Sequence, residues 1–357
     1  MIFFELHRPH GIDFPQLFEA SKMWWRGLNP YLALLTSPGP FNYPPSSFYF
    51  LWWVDLLPFF WASVLWNYLS FFSYMLSVFL ISKLVWKVTW KLWYFFIAIL
   101  FFTLPFFPEK FNLGNGQMNN FILLFIALSW WLNTQNKKWL GAMGVAYSIG
   151  IKLIPAVFIL PSIVEKDYRQ VARIIVCTVF IMISTIPLFG WENIKPYITS
   201  IFFEGFGVHG KAIYYNQSLL AFLLLTFSVA VGVSLFKICW IVLPLISWVS
   251  LSKVKAERFT ISMAVATCLY LLLHPLAWQH HFVFAVIPLL VGWKFLPKWL
   301  IILSFALIAG NIKQPELIPV WATLLLSNQF LGVFLLWVGF ISGQQSDARQ
   351  KYCFLIF

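Results

Sequence analysis

The chain has 357 residues, of which 61% are hydrophobic and only 10% charged, and its mean hydropathy is +0.81. This composition shows no soluble domain and indicates an integral membrane protein, either a helical bundle or a closed β-barrel, because lipid offers the backbone no hydrogen-bond partners. The net charge of +12 fits Lys and Arg that orient loops and meet anionic lipid, and it carries no signature of nucleic-acid binding.

The apolar runs predict helices rather than barrel strands. Segments such as FFIAILFFTLPFF and MNNFILLFIALSWWL are apolar on every face and lack the alternation of a barrel strand. The predicted fold is therefore all-α, a polytopic membrane protein with about ten membrane segments. Apart from one irregular segment, the spans are predicted at roughly 60–83, 90–107, 118–133, 170–190, 227–251, 259–273, 281–293, 297–311 and 318–340.

The irregular segment is 139–164, which Gly150, Lys152, Pro155 and Pro161 interrupt. It fits either one kinked span or a re-entrant helical hairpin. A hairpin places 15 basic residues on the cytoplasmic side and 7 outside, whereas a single crossing gives 8 inside and 14 outside. Because cytoplasmic loops carry the excess of Lys and Arg, we favour the hairpin, with Lys152 deep in the membrane.

This topology predicts three regions. Residues 1–59 form an outer-face loop region, 60–341 a transmembrane domain and 342–357 a cytoplasmic tail. The loop 191–226 and the segment 274–281 then lie on the same outer face as the N-terminal region.

The first candidate site residue is Asp13, in GIDFPQLFEASKMWWRGLNPY at 11–31. Partial desolvation among aromatic residues would raise its pKa and make it a better base, although an aspartate that merely starts a helix has the same sequence context. FNYPPSSF follows at 41–48, where Tyr43 and the other aromatics suit either sugar stacking or anchoring at the membrane interface.

Two further stretches place polar side chains in apolar surroundings. In NLGNGQMNNF (112–121), the amides of Asn115, Gln117, Asn119 and Asn120 either cap a helix or bind ligand hydroxyls. In GIKLIP (150–155), Lys152 costs about 2.5 to 3.5 kcal/mol at the centre of a span, which indicates a paired or functional lysine. Snorkelling of the side chain to the interface is the alternative.

The last two candidate stretches lie in the outer loops. EGFGVHGKAIYYNQSLL (204–220) is either a mobile substrate loop or a connector, and it contains His209, Lys211, Tyr214, Tyr215, Asn216 and Gln217. HPLAWQHH (274–281) contains three histidines, but their spacing and the lack of a nearby carboxylate argue against a metal site. These histidines either bind a phosphate or lie hydrated at the interface. We predict no metal and no cofactor.

Taken in order, these stretches resemble glycosyltransferase family 87, polytopic GT-C type enzymes that use polyprenyl-phosphate sugars and include mannosyltransferases and arabinosyltransferases of cell-envelope synthesis. The resemblance runs from about residue 11 to 290. The matching residues are Asp13-Phe14, Asn29-Pro30-Tyr31, Asn42-Tyr43-Pro44-Pro45, Gly116-Gln117, Asn119, Lys152, Pro155, Asn216-Gln217-Ser218 and Trp278-Gln279-His280-His281.

The resemblance implies an inverting transfer of a hexose or pentose, with mannose favoured, from a polyprenyl-phosphate donor to a glycan or glycolipid acceptor. Asp13 would be the general base, on the outer face of the plasma (inner) membrane. The implied phosphate ligands are Lys152, Lys211, His280 and His281, and the implied sugar ligands are Tyr43, Gln117, Asn119, Asn216, Gln217 and Gln279. Membrane lipids are the remaining expected partner.

Two features depart from the family pattern. Gln279 stands where the family usually has an aspartate, and a membrane helix is expected upstream of Asp13, which only 12 residues precede. A transporter or flippase of a lipid-linked sugar is the main alternative, although the sequence shows no inverted repeat. A polymerase or ligase of envelope glycans is the second, but the loop 191–226 lacks the paired arginines expected of one.

Overall fold

The computed structural model describes residues 11, 13–33, 41–87, 101–201, 213–313, 315–318 and 322–343. The structure is 81% helical, and these residues form no β-strand beyond one isolated bridge. The longer helices are α1 (Asp13–Trp25), α2 (Phe59–Trp86), α3 (Phe107–Asn115), α4 (Asn119–Thr134), α5 (Lys138–Ile151), α6 (Tyr168–Ile183), α7 (Leu219–Thr226), α8 (Val229–Ser252), α9 (Arg258–Leu273), α10 (Val286–Phe295), α11 (Lys298–Ala309) and α12 (Asn328–Ser342). The all-helical prediction is confirmed.

Short helical segments connect these helices. They are Pro30–Ala33, Pro45–Ser47, Phe48–Leu51, Val54–Leu56, Ile154–Ile159, Leu160–Val164, Thr185–Phe189, Trp191–Pro196, Tyr197–Ile201, Gln279–Ala285, Pro315–Leu317 and Thr323–Leu326. The span predicted at 281–293 thus opens as a 3₁₀ turn, and the span predicted at 318–340 becomes a long helix only at Asn328. Most of the span predicted at 90–107 lies outside the described residues.

Three of the described helices are long and apolar enough to cross a membrane: Phe59–Trp86, Tyr168–Phe189 and Val229–Ser252. Shorter apolar helices lie at Ile154–Val164, Arg258–Leu273, Lys298–Ala309 and Asn328–Ser342. These lengths are consistent with a membrane protein. The number of about ten membrane segments stays a prediction.

Helices α4 and α5 pack closely because α5 presents glycines to α4. A Cβ atom on Gly144 would lie 2.9 Å from the Phe125 carbonyl oxygen, and one on Gly141 would lie 2.5 Å from Asn133 Oδ1. Small residues allow helix backbones to approach one another in this way. The contact fixes the antiparallel pair whose free ends carry Asn119 and Lys152.

The chain reverses direction just after α5. Lys152 is extended (φ −141°, ψ 135°), and Pro155 opens the 3₁₀ segment Ile154–Ile159, since proline lacks the amide that would continue the helix. The two ends of the longer segment 138–167 meet, because Lys138 Nζ lies 3.8 Å from Asp167 Oδ2. The side-chain Nε2 of Gln170 also donates to the backbone carbonyl of Lys138 at 3.1 Å. Residues 138–167 therefore fold back on themselves.

The central helix is α9, whose residues from Thr260 to Leu273 are all buried. Its last turn leads into the segment 274–281, and α3 packs against Gln279–Ala285. Helices α4, α5 and α9 therefore each have one end beside the same point. That point is the candidate site.

Candidate active site

The loop between α3 and α4 brings two amides to the site. Helix α3 stops at Gly116, whose φ of +68° favours glycine, and the Trp66 indole donates to the Gly116 carbonyl at 2.9 Å. Helix α4 begins three residues later at Asn119. This break between two helices holds Gln117 and Asn119 beside each other.

Lys152 is the centre of the cluster. Its Nζ lies 2.8 Å from Asn119 Oδ1, 3.2 Å from Gln117 Oε1 and 3.2 Å from His281 Nε2. It also lies 5.4 Å from the centre of the Tyr43 ring, within the range of a cation–π contact. An ammonium with polar partners on three sides is the paired lysine that the sequence indicated.

Tyr43 closes another side of this cluster. Its hydroxyl donates to Gln117 Oε1 at 2.9 Å, and its carbonyl accepts a hydrogen bond of 2.9 Å from the Tyr31 hydroxyl. The segment after it is tied to α5 by Ser46 Oγ, which donates to the Gly150 carbonyl at 2.6 Å. The stretch 41–48 is thereby fixed against the turn that carries Lys152.

Asp13 is the carboxylate of the cluster. It is the first residue of α1, is partly exposed, and accepts a hydrogen bond from Gln117. Burial raises the pKa of Asp13 above its ordinary value, while the hydrogen bond from Gln117 and the charge of Lys152 act in the opposite direction. A raised pKa in a polar cluster is the property expected of a general base.

The paired histidines lie in the 3₁₀ segment Gln279–Ala285, and both are buried. The His281 ring centre is 4.6 Å from that of His280 and 4.8 Å from that of His274. Asn119 Nδ2 donates to the His280 carbonyl at 3.2 Å. Among the described residues, His280 Nδ1 and His281 Nδ1 are buried and have no hydrogen-bond partner.

The segments 213–218 and 274–281 meet in a short antiparallel bridge. Asn216 pairs with Trp278. The backbone N–H of Gln217 donates to the Ala277 carbonyl at 2.8 Å, and the backbone N–H of Gln279 donates to the Tyr215 carbonyl at 3.1 Å. The bridge buries Gln279 completely. It thus joins the 213–218 segment to the histidine segment.

The side chains of Asn216 and Gln217 have backbone partners. Asn216 Nδ2 donates to the Pro275 carbonyl at 3.0 Å. Gln217 Nε2 donates to the Tyr214 and Leu326 carbonyls at 2.6 and 2.7 Å, and its Oε1 accepts a hydrogen bond of 3.1 Å from the backbone N–H of Gln329. Both amides thus hold the loop in place, and their contact with sugars stays a prediction. Lys211 lies outside the described residues.

Two residues join the site that the sequence did not single out. Asn112 Oδ1 accepts from Asn119 Nδ2 at 3.1 Å, and the buried Tyr270 packs edge-on against His281 with ring centres 6.3 Å apart. Asn112 opens the amide-rich stretch NLGNGQMNNF, so composition was a signal for it. Tyr270 lies in an apolar helix and had no such signal. Within the described ranges, no three His, Cys, Asp or Glu side chains come together in a way that could hold a metal ion.

Comparison with known families decides the class of protein. The family model of glycosyltransferase family 87 matches residues 41–275. The chain belongs to glycosyltransferase family 87. It is therefore a glycosyltransferase with a sugar donor and an acceptor, and its apolar helices agree with a membrane protein. No curated protein matches the chain.

The family match divides the cluster. It includes Tyr43, Gln117, Asn119 and Lys152, whereas Asp13 and the segment 279–281 lie beyond its two ends. The structure nevertheless joins these parts, because Asp13 and the segment 279–281 each make a hydrogen bond to residues within the match. The cluster is therefore one site in space.

Proposed function

We propose that this family 87 enzyme is an inverting glycosyltransferase with a polyprenyl-phosphate donor. It transfers a hexose or pentose, with mannose favoured, to a glycan or glycolipid acceptor. The observation that carries the proposal is the pairing of Asp13 and Lys152 through Gln117, which binds both side chains. A base and a cation held side by side match the two charges that change during the transfer.

Asp13 acts on the acceptor. An acceptor hydroxyl attacks the anomeric carbon while Asp13 takes its proton, and a new glycosidic bond forms on the face opposite the leaving group. Gln117 orients the carboxylate through their hydrogen bond. Asp13 is the one carboxylate that the described residues place against this cluster, since Glu109 is bound to Asn120 instead. Retaining enzymes use a second carboxylate as nucleophile, so a single base favours inversion.

The cationic side of the cluster acts on the donor. As the bond from the anomeric carbon to the phosphate oxygen breaks, its electron pair stays on the phosphate, which gains negative charge. Lys152 supplies a positive charge, and His280 and His281 supply ring nitrogens as donors; Lys211 is assigned to the same phosphate. Tyr43, Asn119 and Gln279 would contact the sugars, and Asn216 and Gln217 are assigned to the same role.

The enzyme is proposed to lie in the plasma (inner) membrane with this site facing outward, in cell-envelope synthesis. The folded-back segment 138–167 supports a re-entrant hairpin, because its two ends meet at Lys138 and Asp167. A hairpin keeps the excess of basic loops on the cytoplasmic side. Residues 1–59 then form an outer catalytic region, 60–341 the transmembrane domain and 342–357 a cytoplasmic tail.

A transfer assay in reconstituted membranes tests this function. A panel of polyprenyl-phosphate sugars is offered to the native chain, to Asp13→Asn and to Asp55→Asn, a matched change of a partly exposed carboxylate in the same region. We expect one donor to be consumed with release of polyprenyl phosphate, Asp13→Asn to lose at least about 10²-fold in turnover, and Asp55→Asn to stay near native. Native turnover by Asp13→Asn would overturn the assignment of the base.

A further inference from the structure

Lys237 is a cation on the exposed surface of α8. This helix is one of those long and apolar enough to span the membrane, and little of it is buried. Lys237 is exposed to the surroundings. Its neighbours Ile238 and Ile241 are also exposed, with 55% and 71% of their surface accessible. No residue that the structure describes forms a hydrogen bond or ion pair with it. An ionisable side chain within a span is expected either to have a partner or to reach the membrane interface.

The position of Lys237 along α8 sets its depth. It lies eight residues after Val229, about 12 Å along the helix axis. The helix is about 36 Å long and the hydrocarbon layer about 30 Å thick, so the Lys237 Cα lies about 9 Å inside the layer when the helix is centred. The lysine stem brings the ammonium toward the headgroups. An anion that meets it must sit at the level of lipid phosphates.

Contacts connect the part of α8 next to Lys237 with the candidate active site. One turn further along α8, the Trp240 indole donates to the Leu273 carbonyl at 2.9 Å. Leu273 is followed by His274, whose ring lies 4.8 Å from His281. His281 in turn contacts Lys152. A short path of contacts thus connects the membrane surface beside Lys237 with the centre of the cluster.

We propose that Lys237 binds the phosphate of the lipid-linked donor at the membrane surface before the donor enters the active site. The inference rests on the proposed function, because it takes a polyprenyl phosphate as the donor carrier. The phosphate meets the ammonium while the polyprenyl chain stays in lipid against the apolar face of α8. This contact is separate from the one that Lys152 and the histidines make during the reaction.

Binding of polyprenyl phosphate to the enzyme in phosphatidylcholine nanodiscs tests the proposal. The native chain is compared with Lys237→Gln, Lys237→Arg and Lys253→Gln, which removes an exposed lysine just past the other end of α8. We expect about fivefold weaker binding for Lys237→Gln, the loss typical of one basic residue near lipid phosphates, and near-native binding for the other two variants. In turnover, Lys237→Gln raises KM for the donor about fivefold and leaves kcat unchanged.

The outcomes separate this inference from the proposed function. Equal binding by the native chain and Lys237→Gln overturns the role of Lys237, while the proposed donor class stands. No binding by the native chain overturns the polyprenyl-phosphate donor itself. Phosphatidylglycerol is the second probe: if Lys237→Gln weakens its binding as much as that of polyprenyl phosphate, Lys237 is a contact for bulk anionic lipid and the proposal fails.

Discussion

The side chains of Lys152 and Asn119 meet at 2.8 Å, although 33 residues separate them in the sequence. Lys152 directly follows the last residue of α5, and Asn119 is the first residue of α4. His281 lies in a 3₁₀ segment between two longer helices. The cluster is thus built from the ends of helices, where backbone groups and polar side chains need partners other than those within a helix.

Replacement of Lys152 by Met tests the role of the cation. We expect turnover to fall at least about 10²-fold, the loss typical when one group that stabilises developing negative charge is removed. Lys152→Arg keeps the charge and should retain measurable activity. Rates measured with a saturating polyprenyl-phosphate donor compare the two variants.

A loss of structure would complicate this comparison, because Lys152→Met leaves Gln117 and Asn119 with fewer hydrogen bonds. Lys166→Met is the matched control, since Lys166 lies at the far end of the same folded-back segment. Thermal unfolding of all three variants shows whether each is folded. Native turnover in a folded Lys152→Met protein would rule out a role for this charge in catalysis.

The pH dependence of the reaction reports on Asp13. A general base acts when ionised, so kcat/KM should fall as the pH drops through the pKa of Asp13, and burial places that pKa above the ordinary 3.8. Gln117 lowers this pKa through its hydrogen bond, so Gln117→Leu should move the acidic limb of the profile to higher pH. The exposed Gln135 gives the control Gln135→Leu, which should leave the limb in place. A limb that does not move in Gln117→Leu would contradict the assignment.

The fold class followed from the sequence because burial in lipid permits few architectures. Apolar runs without alternation exclude strands, and the segment around Pro155 showed where a helix could not continue. Boundaries were less accessible, since the 3₁₀ segment Gln279–Ala285 ends in the apolar residues FVFA and continues without a polar break into the apolar helix after it. Hydropathy does not distinguish these two backbone conformations.

The candidate site was partly accessible for a similar reason. Polar residues in apolar runs, such as Lys152 and His281, are conspicuous, and the structure brings them together. Their neighbours are less so: Tyr270 is an ordinary residue of a buried helix until its contact with His281 is known. The sequence also gave no indication that the Gln217 amide would be used by the backbone of three segments.

The contact between α4 and α5 predicts a packing defect at Gly144. A side chain there meets the Phe125 carbonyl, a backbone atom that cannot rotate away. We expect Gly144→Leu to cost about 1 to 3 kcal/mol of stability, as other overpacked sites do. The exposed neighbour Met143 supplies the control Met143→Leu, which should unfold at the native temperature in detergent. Equal unfolding temperatures for the two variants would show that these helices are not packed as described.

The folded-back segment predicts that its two ends reach the same side of the membrane, and the distribution of basic residues predicts that this side is cytoplasmic. Lys137 directly precedes the segment 138–167 and Lys166 lies near its end, and Lys138 forms an ion pair with Asp167 that joins the two ends. In a chain without its native cysteines, Lys137→Cys and Lys166→Cys should therefore both react with a membrane-impermeant thiol reagent from the cytoplasmic side only. Asp55→Cys, in the outer region, should react from the opposite side.

Each alternative topology gives a different labelling pattern. A single crossing separates residues 137 and 166 across a hydrocarbon layer about 30 Å thick, so the two cysteines would react from opposite sides. That result would move every loop after residue 164 to the other face and put the basic excess outside. It would also separate the 274–281 segment from Asp13 by the membrane, although both contact Lys152 or its partners. The compact cluster and the hairpin are therefore tested by the same experiment.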